Sequence, residues 1–167
     1  MNITIEAVKK EEEEILMNLR EKFHCEHSQY DERDVNDAGL FCCGNLGNYW
    51  MDENEYLFFI KTDGKLAGFM IISDYYNTDD EKINTLSELF IMPKYRRKKI
   101  GRYAVESILE KYKGKWQISF HRRNEVSRKF WIKTIDEYLN GKYKMIKIHP
   151  ELVNMDEKMG DGLVFET

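Results

Sequence analysis

The sequence predicts one mixed α/β domain over residues 1–167, with a mixed central sheet of about seven strands flanked by about four helices. Length and composition support this, because 167 residues of which 42% are hydrophobic suit a single buried core. Short apolar runs alternate along the chain with segments of helical spacing, which is the pattern of an α/β fold. The sequence holds no internal stretch rich in Pro, Gly or Ser that would mark a domain boundary.

The amino-terminal part of the chain predicts a strand followed by helices. Apolar and polar residues alternate from Asn2 to Glu6, as in a half-buried strand. Apolar residues at helical spacing then predict a helix over Glu11–Phe23, and its leading glutamates favour the positive end of the helix dipole. Glycines interrupt any period in residues 24–52, where we expect a second, shorter helix and a loop.

A hairpin and a crossover unit follow. The Asp63-Gly64 pair joins two apolar runs and predicts an antiparallel hairpin. The predicted element order is βααβββαβαββ, and its strand, helix and strand from 85 to 121 form one right-handed crossover. The predicted strands after residue 54 are 55–61, 65–74, 85–92, 116–121, 143–148 and 163–166, and the helices are 100–112 and 125–139.

Charge is distributed unevenly along the chain. Residues 91–149 carry 17 Lys and Arg against 5 Asp and Glu, whereas the remaining residues carry 9 against 25. Such a surplus of positive charge favours a polyanionic partner, because a surface of one sign concentrates the opposite sign. The alternative is that lysines on solvated helix faces account for it.

Membrane and secretory classes are not indicated. The longest uninterrupted apolar run, Leu66–Ile72, is far shorter than the roughly 20 residues of a membrane helix. Residues 1–8 lead into charged residues without the apolar region of a signal peptide. Three cysteines, two of them adjacent, do not form a disulfide framework and fit a reducing compartment, so we expect a cytoplasmic protein.

Basic residues gather where the strand 85–92 ends and the helix 100–112 begins. The first turn of a helix leaves backbone N–H groups without partners and carries positive potential, so this junction suits a phosphate. Gly101 lets the backbone approach a diphosphate closely. The alternatives are a solvated basic loop or a nucleic-acid patch. The basic residues are Arg96, Arg97, Lys98, Lys99 and Arg102.

Two segments carry a resemblance to the GNAT superfamily of N-acetyltransferases. Residues 96–101, Arg-Arg-Lys-Lys-Ile-Gly, are similar to its Arg/Gln-x-x-Gly-x-Gly/Ala signature, and residues 124–131 are similar to its Asn-x-x-Ala-x-x-(apolar)-Tyr element. The elements around both motifs agree with the family, and the resemblance covers the chain from the first predicted strand to the last. The later part of the chain is also like a little-characterised bacterial-type branch of predicted acetyltransferases.

The resemblance implies the acyl-CoA N-acyltransferase fold, with acetyl-CoA as cofactor and direct attack of a primary amine on its thioester. In such folds the strand before the loop exposes backbone groups that bind the pantetheine and polarise the thioester carbonyl. The residues implied in coenzyme binding are Phe90, Ile91, Met92, Arg96, Arg97, Lys98, Lys99, Ile100, Gly101, Arg102, Tyr103, Asn124 and Trp131.

The amine must arrive deprotonated, so a carboxylate or a histidine is expected near the reacting atoms. Glu88, on the same strand, is the first candidate, and its alternative is an ordinary salt-bridged glutamate. His121, near the end of the next strand and three residues before Asn124, is the second candidate. It could equally cap a strand or face solvent.

Two positions depart from the family pattern. Lys99 stands at the signature's first glycine, which is tolerable if its side chain points to solvent, since the anion contacts are mainly backbone N–H groups. Trp131 stands where many members place a tyrosine that protonates the departing thiolate, and an indole N–H cannot act as that acid. Water or another tyrosine could supply the proton, or the domain could bind without turnover.

The acceptor is predicted only by class, as a small amine or an amine of a peptide or protein. Asp31, Glu32 and Asp34 make segment 24–52 a candidate wall for a cationic amine. A zinc site at residues 24–27 and a redox pair at Cys42-Cys43 are not predicted, because their spacing does not suit either role. The late strands could pair two subunits as a homodimer. The alternatives to an enzyme are a catalytically silent acyl-CoA-binding module and, ranked last, a nucleic-acid-binding domain.

Overall fold

The computed structural model describes residues 1–41, 55–147 and 159–167. These residues form seven strands and three α-helices, together with two short 3-10 helices at Lys10–Glu12 and Pro93–Tyr95. The strands are β1 (Ile3–Ala7), β2 (Glu55–Thr62), β3 (Lys65–Tyr76), β4 (Lys82–Ile91), β5 (Lys115–His121), β6 (Tyr143–Lys147) and β7 (Met159–Glu166). The helices are α1 (Glu13–Asp31), α2 (Ile100–Lys111) and α3 (Glu125–Leu139).

The seven strands form one mixed sheet in the order β1-β2-β3-β4-β5-β7-β6. Strands β4 and β5 pair in parallel, and α2 connects them, whereas β1–β2, β5–β7 and β6–β7 are antiparallel pairs. The predicted mixed sheet of about seven strands is therefore confirmed, and so is the crossover from β4 through α2 to β5.

The predicted number of helices is wrong for the part of the chain that the structure describes. We expected about four helices, with a short second one in residues 24–52, and the described residues hold three. Residues 24–31 continue α1, which ends where Glu32 adopts a left-handed backbone and donates its N–H to the Ser28 carbonyl. No helix occurs in residues 32–41, and residues 42–54, which include Cys42 and Cys43, lie outside the described residues.

The hairpin between β2 and β3 forms as predicted from the Asp63-Gly64 pair. Asp63 has a φ of 49° and Gly64 a φ of 74°. Two consecutive left-handed residues make the type I′ turn, whose twist matches that of the flanking strands. Aspartate and glycine are the residues that tolerate this conformation, so the local sequence sets the register of the hairpin.

The chain divides into two compact units, and the first comprises residues 1–72 and 88–101. Its core lies between α1 and the sheet. Leu16 and Leu19 of α1 pack with Phe69 of β3 and Phe90 of β4, and each of these side chains is buried. Burial of this apolar stripe holds α1 against the carboxyl-terminal part of β4. The other buried members of the cluster are Val8, Leu57, Phe59 and Ile71.

The second unit comprises residues 73–87 and 102–167. Trp116 of β5 is fully buried, stacks on Phe165 of β7 and donates its indole N–H to the Tyr112 carbonyl at 2.9 Å. The buried apolar residues of α2 and α3 complete its core; they are Ala104, Val105, Ile108, Leu109, Trp131 and Ile135. That residues 1–167 fold as a single domain stays a prediction.

Candidate functional site

The segment between β4 and α2 leaves the sheet sharply and enters the helix through a short loop. The Met92 N–H donates to the Ala67 carbonyl of β3 at 2.9 Å, and one 3-10 turn, Pro93–Tyr95, follows. Arg97 and Lys99 then adopt left-handed backbone conformations, with φ of 63° and 62°. Ile100, at the first turn of α2, is buried and anchors the helix start. The loop therefore has a defined path from the strand to the helix.

The left-handed conformation of Lys99, directly before the helical residue Ile100, has a chemical consequence. A left-handed residue next to a right-handed one turns successive backbone N–H groups toward one point, and such a nest binds anions. The N–H groups of the first turn of α2 add to it, since they have no partner within the helix. Arg97, Lys98 and Lys99 are exposed and form no ion pair with the described acidic residues. The loop thus fits a diphosphate group such as that of coenzyme A.

The other two basic residues of the junction are neutralised. Arg96 donates to both carboxylate oxygens of Glu26, at 2.9 and 2.6 Å, and to the Ile91 carbonyl at 2.6 Å. Arg102 is paired with Glu106 at 2.7 Å and also with Glu137. The positive field of the junction therefore comes from the residues between them.

The carboxyl-terminal part of β4 lies close to β3. A Cβ added to Gly68 would come within 1.9 Å of the Phe90 carbonyl oxygen, so only glycine permits this approach. The Phe90 ring is buried against Phe23 and Phe69, with ring centroids 6.3 and 6.0 Å away. Backbone groups of a strand point alternately to its two edges, and Met92 bonds to β3, so the Ile91 carbonyl faces the other edge.

Glu88 is held in a largely buried ion pair. Its carboxylate accepts from the Arg20 Nε at 3.0 Å and from an Arg20 terminal nitrogen at 2.6 Å, and the two side chains are 12% and 6% exposed. The salt-bridged alternative therefore describes its environment. Arg20 uses one lone pair on each carboxylate oxygen, and the remaining lone pairs can still accept a proton or a hydrogen bond.

His24 lies beside this pair, one helical turn beyond Arg20. Its Nδ1 is 3.2 Å from an Arg33 guanidinium nitrogen, and a guanidinium only donates, so Nδ1 must accept and Nε2 must carry the proton. That Nε2 is buried and lies 3.9 Å from Glu88 Oε1. Burial lowers the pKa of His24, and Arg20 and Arg33 lower it further, while Glu88 opposes them. These effects favour the neutral form of His24, whose Nε2 lies near Glu88 without a hydrogen bond to it.

His121 is buried at the end of β5. Its Nδ1 accepts the Arg123 backbone N–H at 3.2 Å, which closes the turn before α3. In the neutral ring the other nitrogen then carries the proton, so the basic lone pair of His121 is already engaged. This geometry favours the strand-capping alternative over a role as general base.

Asn124 and Trp131 have structural environments in the second unit. The Asn124 side chain accepts the Ser127 N–H at 2.9 Å and caps α3 at its amino terminus. Trp131 is 6% exposed, and its ring meets Phe130 edge-on at 5.0 Å. Whether either residue contacts a coenzyme stays a prediction.

Sequence reasoning missed the polar residues of α1. Arg20 and His24 follow Leu16 at intervals of four, so they lie on the same stripe as the buried leucines. Charged residues on an apolar stripe are a usable signal, because such groups are rarely buried without a partner. Asp31, expected to attract a cationic amine, is itself paired with Arg33 at 3.1 Å.

A groove of about 570 Å³ lies in the second unit and contains none of the predicted site residues. Lys115, Gln117, Lys144 and Val164 contribute to its walls.

Among the residues that the structure describes, no three His, Cys, Asp or Glu side chains gather as ligands of a metal ion. None of the described helices has the length and apolar character needed to cross a membrane.

The model of the acetyltransferase (GNAT) family matches residues 13–133, which include β4, the loop, α2, β5 and the start of α3. The chain belongs to this family. Membership confirms the resemblance drawn from the two motifs and the prediction of an acetyltransferase that uses acetyl-CoA. No curated protein sequence matches the chain.

Solved structures of acetyltransferases share the fold at low sequence identity. PaiA N-acetyltransferase from Thermoplasma acidophilum, in complex with coenzyme A, is 18% identical with a TM-score of 0.66, covering 100% of both chains. An acetyltransferase from Thermus thermophilus is 13% identical with a TM-score of 0.69, covering 100% of this chain and 98% of that one. Spermidine N-acetyltransferase from Vibrio cholerae, in complex with CoA and spermine, is 12% identical with a TM-score of 0.63, covering 98% and 94%.

Proposed function

We propose that this GNAT protein transfers the acetyl group of acetyl-CoA to a primary amine by direct attack of the neutral amine. The loop between Arg96 and Tyr103 carries the proposal. It combines left-handed residues at Arg97 and Lys99 with three exposed cations at a helix start, and these features suit a diphosphate. Acetyl-CoA, when bound, supplies the acyl group as an activated thioester.

The residues proposed for coenzyme binding have separate tasks. Backbone N–H groups of Lys98 to Tyr103 bind the diphosphate, and the side chains of Arg97, Lys98 and Lys99 add positive potential. Backbone groups of Phe90, Ile91 and Met92 orient the pantetheine, apart from the Met92 N–H, which donates to Ala67, and the Ile91 carbonyl, which accepts from Arg96. Asn124 and Trp131 act through α3, where the first caps the helix and the second is buried.

Glu88 is our first candidate for the group that receives the amine proton. Its carboxylate is held in one orientation by Arg20 and keeps lone pairs for a further hydrogen bond, either to the amine or to an intervening water. His121 is the weaker candidate because its Nδ1 is engaged by the backbone.

Thermal unfolding with ligands tests coenzyme binding first. We expect CoA and acetyl-CoA to raise the melting temperature and a short oligonucleotide to leave it unchanged. Lys98→Gln should weaken CoA binding about threefold by removing one exposed cation from the loop. Lys10→Gln, which removes an exposed cation from a turn before α1, is the matched control and should have no effect. A melting temperature that no CoA species changes would contradict the proposal.

Release of free thiol from acetyl-CoA then tests turnover. Polyamines, amino acids and peptides make up the acceptor panel, and spermine is included because it is bound in the Vibrio cholerae structure of the same fold. Glu88→Gln should lower kcat with little change in the CoA dissociation constant. If CoA binds but no acceptor supports thiol release, the silent acyl-CoA-binding module becomes the better reading, which the buried Trp131 at the expected tyrosine position would favour.

A further inference from the structure

The Arg96 side chain folds back toward α1 instead of extending from the loop. Its Nε donates to the Ile91 carbonyl at 2.6 Å, and one terminal nitrogen donates to both Glu26 oxygens, at 2.9 and 2.6 Å. The guanidinium also lies 5.7 Å from the centroid of the Phe90 ring. One planar group thus joins the loop, the end of β4 and the helix α1.

The Ile91 contact explains why this arrangement is useful. Met92 bonds to β3, so the Ile91 carbonyl faces the edge of β4 away from β3. The Arg96 Nε satisfies that carbonyl and thereby fixes the orientation of the last peptide group of the strand. The loop begins two residues later, so its starting direction depends on this peptide.

Glu26 keeps the guanidinium in place. The planar fork of the guanidinium makes two contacts at once, because Nε reaches the Ile91 carbonyl while a terminal nitrogen reaches Glu26, and lysine has only one nitrogen for both. Both side chains are about two-fifths exposed, at 41% and 42%, so the ion pair by itself adds little to global stability. Its effect is local, since it holds a loop that would otherwise have to be ordered when a ligand binds.

We propose that Glu26 and Arg96 form a clamp that fixes the conformation of the loop between Arg96 and Tyr103, here called the coenzyme loop, before CoA binds. Glu26 is then a positioning residue that acts through Arg96. The Arg96 guanidinium orders the loop through Ile91 and Glu26 and does not contact phosphate. The inference rests on the proposed function in taking coenzyme A as the ligand of the loop.

The direction in which Glu26→Gln changes the CoA affinity distinguishes the clamp from a purely electrostatic effect. Glu26→Gln removes a negative charge close to an anion site, and Coulomb's law alone predicts tighter CoA binding. The clamp predicts about three- to tenfold weaker binding, measured by titration calorimetry on the full chain. Glu14→Gln removes an exposed charge from the first turn of the same helix and should leave the affinity unchanged.

Variants of Arg96, alone and combined with Glu26→Gln, complete a double-mutant cycle. Arg96→Lys keeps the charge but loses the fork, and we expect it to bind CoA as weakly as Arg96→Gln; a phosphate-contacting cation would be largely rescued by lysine. The double variant Glu26→Gln/Arg96→Gln should bind no more weakly than Arg96→Gln, since both substitutions break one contact. Additive losses, rescue by lysine, or unchanged or tighter binding by Glu26→Gln would each overturn the clamp.

An NMR measurement on the protein without coenzyme tests the contact directly. The Arg96 Nε–H signal should be protected from solvent exchange in the wild type and lose that protection in Glu26→Gln. Fast exchange in the wild type would overturn the clamp. If the wild type fails to bind CoA, the proposed function fails with it, whereas wild-type binding that Glu26→Gln does not weaken overturns the clamp alone.

Discussion

Lys99 shows at the scale of one residue why the family signature has glycine at this position. Its φ of 62° lies in the left-handed region, where a side chain costs about 1–2 kcal/mol. The loop adopts this conformation at Lys99 in spite of the cost. The departure from the signature therefore adds strain to the loop.

Replacing Lys99 by glycine should relieve that strain. We expect Lys99→Gly to raise the free energy of unfolding by about 0.5–1 kcal/mol, the net of relieved strain and greater freedom of the unfolded chain. Urea unfolding measures the change. Lys98→Gly is the matched control, because Lys98 is not left-handed, and it should lower stability by about 0.5–1 kcal/mol. Equal changes in the free energy of unfolding for the two substitutions would contradict backbone strain at Lys99.

The largely buried ion pair of Arg20 and Glu88 should be sensitive to loss of one partner. Arg20→Met leaves the Glu88 carboxylate buried without its main partner and should lower the free energy of unfolding by about 3–5 kcal/mol. The double variant Arg20→Met/Glu88→Gln removes both charges and should recover part of that loss. Denaturant unfolding of the three proteins checks this, and a double variant as unstable as the single one would argue against an uncompensated charge.

At the scale of elements, the end of β4 is placed by its two neighbours, β3 and α1. Gly68 lets β3 approach the Phe90 backbone, and Phe23 of α1 packs on the Phe90 ring. These contacts position the backbone from which the coenzyme loop begins. The site therefore depends on residues that contact no ligand.

Gly68→Ala tests this close approach. The added Cβ would meet the Phe90 carbonyl oxygen at 1.9 Å and the Ile91 Cα at 3.1 Å, and backbone atoms cannot rotate away as a side chain can. We expect a loss of about 3 kcal/mol in the free energy of unfolding, by thermal or urea denaturation. Lys65→Ala, exposed at the start of the same strand, should stay within about 0.5 kcal/mol. A Gly68→Ala protein as stable as the wild type would show that β3 and β4 lie farther apart at this point than the structure has them.

Helix α1 should also make stability depend on pH. Burial lowers the pKa of His24 below 6.5, and the same cause lowers that of His27. As the pH falls below about 6.5, the unfolded chain takes up protons before these histidines do in the folded chain, so stability falls with pH. Above that value both states are neutral and the contribution is complete.

His24→Gln isolates one of the two groups. Glutamine can still accept from Arg33 and donate toward Glu88 but does not titrate. The drop in the free energy of unfolding between about pH 7.5 and pH 5 should be smaller in this variant than in the wild type. Urea titrations at the two pH values measure it. An identical drop would show that His24 protonates as readily in the folded chain as in the unfolded one.

At the scale of the whole molecule, charge segregation fits a polyanionic ligand. Residues 91–149 carry 17 basic and 5 acidic residues, and the coenzyme loop lies at their start. Part of this positive charge is neutralised, since Arg96 pairs with Glu26 and Arg102 with Glu106. The residues from Arg97 to Lys99 stay exposed and form no ion pair with the acidic residues that the structure describes.

CoA affinity should therefore decrease as salt increases. Coenzyme A carries several negative charges, and ions screen exposed charge pairs within roughly 10 Å at about 0.1 M salt. We expect the dissociation constant to rise several-fold between low and high ionic strength, as measured by calorimetry. Pantetheine lacks the phosphates and serves as the control with little salt dependence. A salt-independent CoA affinity would argue against a role for the loop cations.

Local sequence determined the elements and the identity of the loop. The Asp63-Gly64 turn, the period of α2 and α3, and the cap at Asn124 depend on neighbours a few residues away, so each could be predicted from sequence. The signature at residues 96–101 likewise predicted the family, which is confirmed, whereas the anion site that it indicates stays a prediction. The extension of α1 to Asp31 was not predictable in this way, because its polar carboxyl-terminal part shows little apolar period.

The partners of the charged side chains around the loop come from distant parts of the chain. Arg20 meets Glu88 across 68 positions of sequence, and Arg96 meets Glu26 across 70. A residue's type shows that it can carry charge, but its partner is chosen by packing of α1 on the sheet. For that reason residue types and motifs were enough to identify an acetyltransferase of the GNAT family, whereas packing selects which of its charges stay unpaired and exposed.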